Sequence, residues 1–354
     1  ADVKVSDGKL SITGKQLQFP RVIQCGESGL SARMFSAIAA TFSHPVRIEG
    51  KGSLLKRPQY AIVDTLSQIG AQVQSSHGYL PIEIQGPIKG GKITVDGSFT
   101  SQVLSGLLIA LPLISENTEM KVKNLISRPY IDVTLNILKQ FQIHVENIDY
   151  HTFLIQGKQR PVACECPMGA DWSGVAFHLV AAAINGEATL HMESTSSVQG
   201  DRNILQVLHN AGAEIAISSN SIHVARKPLK AFVYDATHTP DLFPPLVVLG
   251  INASGTSEIK GVHRLLHKES NRAEVLQKEF AKVGGKIRIE GDSMFVEGTK
   301  MKGGKLDSNN DHRIAMAGAV AALSSEEGIE IENAESIRKS YPDFFDDFEA
   351  LCKR

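Results

Sequence analysis

Five segments of the chain share one pattern, in which polar or charged residues lead directly into a run of small apolar residues. They lie at 27–33, 100–102, 171–174, 240–242 and 310–313. Their spacing of roughly 70 residues leaves room for one α/β unit per copy. Each segment is typical of the N-terminus of a buried helix, whose free N–H groups and partial positive charge can hold an anion. We therefore predict a repeated α/β protein that binds phosphates and carboxylates.

Alternating segments follow these helices, which indicates sheets with one buried face. We expect the helices at about 30–40, 101–112, 173–184, 241–250 and 313–323, and the strands at 46–48, 120–122, 188–191, 257–259 and 329–331. In four of the five units a second amphipathic helix follows the strand. Three of these helices end at a glycine that can cap them in the left-handed conformation, and Gln142 takes that place in the fourth.

A break in composition near 160–167 separates the second copy from the third. We place a domain boundary there, between residues 1–167 and residues 168–354. The first domain then shows two copies and the second shows three. If the domains are equivalent, the first repeat is incomplete and one helix start is missing at the N-terminus.

The charge balance and the cysteines exclude several classes of protein. Lys+Arg 37 nearly equal Asp+Glu 38, whereas a dedicated nucleic-acid binder normally has a basic excess. No apolar run approaches the ~20 residues that cross a bilayer, so we expect no membrane partner. The cysteines are scattered and complete no zinc set, which indicates ordinary thiols in a reducing, cytoplasmic compartment.

Two polar clusters beside predicted helices contain the residue types that anion chemistry needs. Lys268 and Arg272 would face one way on a helix, with Glu269 beside them, so this group could bind a phosphate and exchange a proton. A solvated helix end is the alternative. Arg313 precedes an apolar helix, and a buried arginine needs an anion because an unpaired charge is costly. A simple helix cap is the alternative there.

Further candidate groups lie at other predicted helix starts. The segment 100–102 (Thr-Ser-Gln) offers hydroxyls and an amide to a phosphate. The segments 56–58 (Lys-Arg-Pro) and 127–129 (Ser-Arg-Pro) set a cation before a proline, which we expect at the first helical position. Asp241 follows Pro240 and is a candidate general base, and Lys339 lies near a C-terminal helix. Each has an ordinary alternative, as a helix cap, a helix start or a surface lysine.

In combination these motifs resemble the family of 5-enolpyruvylshikimate-3-phosphate synthases (3-phosphoshikimate 1-carboxyvinyltransferases). The resemblance covers nearly the whole chain and keeps the order of the motifs. Its most specific strings are Pro-Tyr-Ile-Asp-x-Thr at 129–134, Lys-Glu-x-x-Arg at 268–272, Asn-Asp-His-Arg-x-Ala-Met at 310–316 and Lys-Ser-Tyr-Pro-Asp-Phe-Phe at 339–345. It implies a two-domain α/β fold with three βαβαββ units per domain, an inside-out α/β barrel, and an active site in the interdomain cleft.

The resemblance also implies an activity and a set of site residues. The family transfers the enolpyruvyl group of phosphoenolpyruvate to the 5-hydroxyl of shikimate 3-phosphate and releases phosphate, on the shikimate pathway to chorismate and aromatic amino acids. It implies no metal or organic cofactor, and we expect a monomer. The shikimate-3-phosphate-binding residues would be Thr100, Ser101, Gln102, Ser127, Tyr130, Asp241 and Lys268. The phosphoenolpyruvate-binding residues would be Gly29, Arg57, Gln102, Arg272, Arg313 and Lys339. The catalytic residues would be Asp241 as base, with Glu269 and Lys339 as candidate proton donors.

The chain departs from the family's pattern at three places. The family's N-terminal Lys-Ser-x-x-x-Arg helix start has no counterpart, and we expect weak or no activity from this chain alone. The glycine loop at 26–33 keeps Gly29 and Arg33 but has Glu27 and Leu30 at differing positions, and Asn271 replaces the usual aspartate. Two alternatives stay open: the related enolpyruvyl transferase that acts on UDP-N-acetylglucosamine, and a non-catalytic fragment that keeps the fold.

Overall fold

The computed structural model describes residues 1–6, 8–14, 20–98, 100–266 and 268–352. Its α-helices are α1 (Gly29–Ala39), α2 (Tyr60–Gln68), α3 (Gln102–Ala110), α4 (Arg128–Gln140), α5 (Trp172–Asn185), α6 (Ile204–Ala211), α7 (Phe243–Ile251), α8 (Arg272–Lys282), α9 (His312–Ala322) and α10 (Phe344–Cys352). The five predicted first helices correspond to α1, α3, α5, α7 and α9, with ends within a few residues of the prediction.

The strands alternate with these helices along the chain. They are β1 (Asp2–Ser6), β2 (Lys9–Thr13), β3 (Val22–Gln24), β4 (Val46–Glu49), β5 (Gln72–Ser76), β6 (Tyr79–Gln85), β7 (Gly91–Asp96), β8 (Thr118–Lys123), β9 (Val145–Ile148), β10 (Thr152–Ile155), β11 (Glu187–His191), β12 (Glu214–Ile217), β13 (Ser221–Ala225), β14 (Val233–Asp235), β15 (Thr256–Lys260), β16 (Lys286–Glu290), β17 (Ser293–Glu297), β18 (Gly304–Asp307) and β19 (Ile329–Glu332). All five strands predicted after the first helices are present.

Three four-stranded sheets share one strand order. They are β3-β4-β6-β5, β7-β8-β10-β9 and β14-β15-β17-β16. In each sheet the first pair is parallel and the other two pairs are antiparallel. A parallel pair needs a crossover, which the first helix of each unit supplies. Each sheet and its two helices therefore form a complete βαβαββ unit, which confirms the repeated α/β architecture.

Three smaller sheets each belong to an incomplete copy of this βαβαββ unit. The sheet β11-β13-β12 has three strands, β18 pairs with β19 in parallel, and β1 and β2 form an antiparallel hairpin. In the hairpin, Val3 lies opposite Ile12 and Val5 lies opposite Leu10, so four exposed apolar side chains share one face.

Most first helices are buried because their side chains are small or apolar nearly all round, whereas α1 leaves Leu30 and Phe35 exposed. Every residue of α7 is buried, and α5 and α9 are buried over most of their length. In the other half, α1 and α3 approach so closely that a Cβ at Gly106 would lie 2.9 Å from Met34 Cα. One hydrophobic cluster draws on residues 25–155 and another on 172–344. The predicted boundary at 167 lies between them; the domain division stays a prediction.

The predicted glycine caps follow three of the second helices. Gly70, Gly212 and Gly284 have φ of 90°, 95° and 100°, a conformation that glycine adopts without strain. Gln142 takes the same left-handed conformation, with φ of 58°, where the fourth unit lacks glycine. In the described part of the chain, every helix is too short or too polar to cross a membrane.

Two details of the helix starts were predicted wrongly. Pro58 is not at a first helical position, since α2 begins at Tyr60, whereas Pro129 lies in the first turn of α4. Helix α8 begins only at Arg272, so Lys268 and Glu269 precede it and do not share a helix face with it. Lys268 is linked to Arg272 instead through the carboxylate of Asp241, and Glu269 pairs with Arg272 directly.

Candidate active site

A cavity of about 180 Å³ lies between the two halves of the chain, beside the starts of the buried helices. The first half lines it with Arg33, Arg57, Ser98, Thr100 and Gln102, and the second half with Asp241, His263, Arg264, Lys268, Glu269, His312 and Arg313. Seven of the predicted site residues are among them. Cations from both halves therefore meet at one polar gap, as the sequence predicts.

At three of the helix starts, a capping side chain already accepts from a backbone N–H that the sequence predicts could bind an anion. The Ser31 N–H donates to Ser28 Oγ at α1, the Ser173 N–H to Asp171 Oδ1 at α5, and the Arg313 N–H to Asp311 Oδ1 at α9. These bonds satisfy N–H groups that an anion would otherwise take. Side-chain cations therefore supply most of the positive charge at this cavity.

Asp241 lies at the centre of the cationic cluster, just after Pro240 in the short 3-10 helix Pro240–Leu242. Its Oδ1 accepts from Lys268 Nζ (3.1 Å) and Arg272 Nη1 (3.0 Å), and its Oδ2 accepts from Arg313 Nη2 (3.2 Å). Burial alone would raise the pKa of Asp241, but these three cations hold it well below its usual range. The carboxylate is thus ionised, and it is a weak base while the cations remain on it.

Arg272 is fully buried behind the cavity and joins three carboxylates. Besides Asp241 it contacts Asp311 Oδ2 through Nε (3.0 Å) and Glu269 Oε2 through Nη2 (2.7 Å). Burial would lower its pKa, but these anions, Asp311 foremost, raise it. Ligand atoms of Glu269, Asp311 and His312 lie within 4.8 Å of one another, as in a metal site. Arg272 holds both carboxylates, so we assign the cluster to ion pairing.

Two ion pairs connect the halves across the cleft. Arg57 Nη2 contacts Glu269 Oε1 at 2.8 Å, and Lys339 Nζ contacts Glu27 Oε2 at 2.9 Å. Burial would raise the pKa of Glu269, but Arg272 and Arg57 lower it strongly, so this candidate acid is ionised here. The cavity, at about 180 Å³, is smaller than the roughly 300–1,000 Å³ that is usual for small-molecule sites.

Three other residues predicted to bind shikimate 3-phosphate, Ser101, Ser127 and Tyr130, are buried or make hydrogen bonds to the second half of the chain. Ser127 is buried with φ of 59°, and its N–H donates to His238 Nδ1 at 3.0 Å across the cleft. Tyr130 OH donates to Asp201 Oδ2 at 3.2 Å, also across the cleft. Ser101 is buried at the start of α3. Ser101, Ser127 and Tyr130 are not among the described residues that line the cavity, and their contact with a substrate stays a prediction.

Close packing explains why a glycine stands at position 29, in the loop at 26–33. A Cβ at Gly29 would lie 3.0 Å from Arg33 Nη1 and 3.1 Å from Arg57 Nη1. Arg33 in turn donates to Gln59 Oε1 (3.1 Å) and to Gln102 Oε1 (2.7 Å). A side chain at Gly29 would therefore push the two arginines that border the cavity by a few tenths of an ångström.

Several residues of the site are not assigned to it by the sequence. The sequence places Arg33 only in a loop and Asp311 only as a helix cap, and it groups His312 with Arg313 without giving it a role. It does not indicate Arg264 or Asp201. The motif strings that carry Arg33, Asp311 and His312 could have indicated them. Asp201 lies in an ordinary polar turn and gives no such signal; its burial is a tertiary effect.

The raised pKa of Asp201 makes the free energy of unfolding depend on pH in a specific way. Burial, and next the charge of Asp241, raise its pKa to about 7, while an unfolded aspartate titrates near 3.9. The folded protein therefore binds this proton more tightly than the unfolded chain does. Ionisation of Asp201 lowers the free energy of unfolding as pH rises from about 4 to about 7. We expect Asp201→Asn to raise the free energy of unfolding at pH 8 by on the order of 2–4 kcal/mol relative to the native residue.

Urea denaturation at pH 5, 6.5 and 8 measures this effect. The gain from Asp201→Asn should shrink steadily toward pH 5, where the folded protein keeps the proton. The matched control is Asp64→Asn, at an exposed position of α2, which we expect to leave the pH profile unchanged. A gain that is the same at all three pH values would contradict the raised pKa of Asp201.

Comparison with known proteins agrees with the fold and with the motifs. A sequence model described as EPSP synthase (3-phosphoshikimate 1-carboxyvinyltransferase) matches residues 4–348. The 3-phosphoshikimate 1-carboxyvinyltransferase of Clostridium kluyveri is 35% identical over 99% of this chain and 83% of its own length. The protein of the same name from Nitrosopumilus maritimus is 33% identical over 100% of this chain and 85% of its own length.

A solved structure is also similar. The EPSP synthase of Acinetobacter baumannii has a TM-score of 0.75 and 25% identity, and the match covers 93% of this chain and 78% of that one. That likeness extends over both halves of the chain and includes the repeated units described above. With a family match over nearly its full length, the chain belongs to the EPSP synthase family.

Proposed function

We propose that this chain transfers the enolpyruvyl group of phosphoenolpyruvate to the 5-hydroxyl of shikimate 3-phosphate and releases phosphate. The observation that carries the proposal is the convergence of Arg57, Lys268 and Arg313 on one cavity from both halves of the chain. Both substrates are anions that repel each other, so a site that joins them must supply several fixed cations. Charge-assisted hydrogen bonds contribute about 1.5–3 kcal/mol each, and several together can offset that repulsion.

An unsatisfied guanidinium nitrogen supports an anion at this cavity. Arg313 is buried, and no described residue accepts a hydrogen bond from its Nη1. A buried charged donor without a partner is costly. A carboxylate or phosphate oxygen of phosphoenolpyruvate would supply the missing acceptor, since Nη2 of the same residue is already bonded to Asp241 Oδ2 and Ser173 Oγ.

The proposed chemistry assigns two opposite proton transfers. Addition of the acceptor hydroxyl needs a proton on the methylene carbon of phosphoenolpyruvate and the loss of the hydroxyl proton. Elimination of phosphate then removes a proton from the methyl group. We assign Asp241 as the base for the hydroxyl, and Glu269 or Lys339 as the group that exchanges the methylene proton.

Binding of the substrates would adjust the bases and acids to these tasks. Arg57 and Arg313 now hold the pKa of Glu269 and of Asp241 down, respectively. When substrate anions take hydrogen bonds from these arginines, both carboxyl groups lose part of that stabilisation and their pKa values rise. A larger fraction of Glu269 then carries a proton that it can donate, and Asp241 becomes a better base.

Phosphate release from phosphoenolpyruvate tests the proposal. We expect the chain to release phosphate only when shikimate 3-phosphate is present, and the acceptor to gain the mass of an enolpyruvyl group. Release with UDP-N-acetylglucosamine instead would favour the related transferase. Binding of phosphoenolpyruvate and shikimate 3-phosphate without any release would favour a non-catalytic role.

Three further parts of the proposal concern organisation. We propose domains at 1–167 and 168–354, which the two hydrophobic clusters on either side support. We propose a monomer that requires no metal or organic cofactor. We also propose a cytoplasmic location, supported by four cysteines that are free thiols. Light scattering tests the monomeric state, and activity in the presence of a chelator tests the independence from metal.

A further inference from the structure

A second and larger cavity lies at the other end of the buried helices, in the second half of the chain. Its volume is about 850 Å³, within the roughly 300–1,000 Å³ that is usual for small-molecule sites. Ile184 in the last turn of α5, Ile251 at the end of α7 and Ser324 just after α9 are among the residues that line it. This distal cavity shares no lining residue with the cavity in the cleft.

The length of a buried helix separates the distal cavity from the cleft. Helix α9 has Arg313 in its first turn, at the cleft, and Ser324 follows its last turn, at the distal cavity. The 11 residues of this helix measure about 16 Å along its axis. A small molecule in the distal cavity therefore makes no contact with a substrate in the cleft, and its chemistry is decided by the lining of the distal cavity alone.

Backbone hydrogen bonds fix the walls of the distal cavity. The Arg226 N–H donates to the Gly186 carbonyl oxygen at 2.7 Å, just beyond α5. The Thr299 N–H donates to the Ile251 carbonyl oxygen at 2.9 Å, at the end of α7. These bonds join the segments that follow β13 and β17 to the helix ends. The cavity is therefore preformed, which lowers the conformational entropy that is lost when a ligand binds.

The lining combines a buried apolar surface with cations. Its apolar side includes Leu229, Ile251 and Ala253, each at most 7% exposed. Its basic residues are Arg226, Lys227 and Lys300. Among the described residues that line this cavity, none has an acidic side chain. Such a lining suits an organic anion with an apolar body better than a cationic molecule or a neutral one.

Two of the three cations lack a counterion among the described residues. Lys227 pairs with Glu214 at 2.9 Å. The side chains of Arg226 and Lys300 are exposed, and neither makes a hydrogen bond or an ion pair with a residue that the structure describes. These two residues follow β13 and β17, respectively, so they belong to different units. An anion between them would gain charge-assisted hydrogen bonds without breaking an existing ion pair.

Stabilisation of the helix ends does not account for these cations. A lysine or arginine near a helix C-terminus commonly bonds to the last carbonyl groups and offsets their partial negative charge. Here the Ile251 carbonyl oxygen accepts from the Thr299 N–H at 2.9 Å, and the Ala322 carbonyl oxygen accepts from the Ser325 N–H at 3.2 Å. Backbone groups thus take the place of the cations at these carbonyls, and the N–H groups of Arg226 and Lys300 stay available to a ligand.

We propose that the distal cavity binds a small organic anion whose acidic group is held by Arg226 and Lys300 and whose apolar body packs on Leu229, Ile251 and Ala253. The guanidinium and ammonium groups would donate to the acidic group, while contact with the three apolar side chains removes the body of the ligand from water. The site is separate from the cleft, so the proposal is independent of the reaction proposed there.

Binding of 2-naphthoate tests the site, because this probe joins one carboxylate to an apolar body. We would measure it by a ligand-observed NMR titration with phosphoenolpyruvate present throughout at a saturating concentration, so that the cations of the cleft are occupied. We expect a Kd on the order of 0.1–1 mM, which is usual for so small a ligand. The neutral analogue 2-naphthylmethanol has the same rings without the charge and should bind about three- to tenfold more weakly.

Substitutions of the two cations show where the probe binds. Arg226→Ala and Lys300→Ala should each raise the Kd for 2-naphthoate about three- to tenfold, since each removes one exposed charged contact. Lys300→Glu, which reverses the charge, should raise it further. The matched control is Lys278→Ala, at an exposed lysine of α8 that does not line the distal cavity, and it should leave the Kd unchanged. The melting temperature of each variant shows whether it is folded.

Three results would each overturn the proposal. They are no binding of 2-naphthoate to the native chain, binding of 2-naphthylmethanol as tight as that of 2-naphthoate, and a native Kd in both Arg226→Ala and Lys300→Ala. The last result would place the probe somewhere other than the distal cavity. Selective loss in these two variants supports the site even if the native chain releases no phosphate, which would count only against the proposed reaction.

Discussion

Asp241→Asn is expected to lower kcat by on the order of 10²- to 10⁴-fold, the usual contribution of a positioned general base. Asparagine has the same shape but cannot accept the hydroxyl proton. It can still accept through one oxygen from Lys268 and Arg272, which now contact Oδ1. Its amide would face Arg313 Nη2, which now contacts Oδ2 at 3.2 Å. Because the site loses an anion, binding of anionic substrates should be unchanged or tighter.

Steady-state phosphate release gives kcat for this variant, and calorimetric titration gives the Kd for each substrate. Asp64→Asn, at an exposed position of the first half, is the control and should behave as the native chain does. If Asp241→Asn weakens binding of both substrates as much as it lowers kcat, Asp241 has a structural role as the counterion of the cluster and is not the base.

Arg313→Ala is expected to lower kcat/KM for phosphoenolpyruvate by on the order of 10³-fold. The substitution removes the buried Nη1 that lacks a partner and the Nη2 that holds Asp241. Loss of two charge-assisted bonds costs about 3–6 kcal/mol, and each 1.4 kcal/mol is about tenfold. Arg313→Lys keeps a cation but loses the planar fork, so it should restore only part of the rate.

Initial rates over a range of phosphoenolpyruvate concentrations measure this effect. Arg288→Ala removes an arginine of β16 whose side chain is 55% exposed and pairs with Glu290, so it serves as the matched control for the loss of one charge. A native value of kcat/KM in Arg313→Ala would remove this residue from the binding site. The unfolding midpoint of the variant shows whether an observed loss is due to the site or to the fold.

The repeated architecture could be read from the chain because its causes are local. Helix α7 is apolar on all sides, the glycines at 70, 212 and 284 end helices, and the alternation of β8 or β15 marks a half-buried strand. These features depend on a residue and its near neighbours in sequence. The exceptions are the starts of α2 and α8. Helix α2 begins after the position that Pro58 suggests, and α8 begins after the position that Lys268 suggests.

The types of residue in the site could also be predicted, since a cation beside an apolar helix needs an anion wherever the helix packs. Which cation holds which carboxylate depends on residues far apart in sequence: Asp241 meets Arg313, and Glu27 meets Lys339 across 312 positions. The burial that raises the pKa of Asp201, and the hydrogen bonds from Arg264 to Ser127, likewise exist only in the folded chain. Electrostatic energies depend on distance and on excluded water, and neither quantity is encoded by any one segment of the chain.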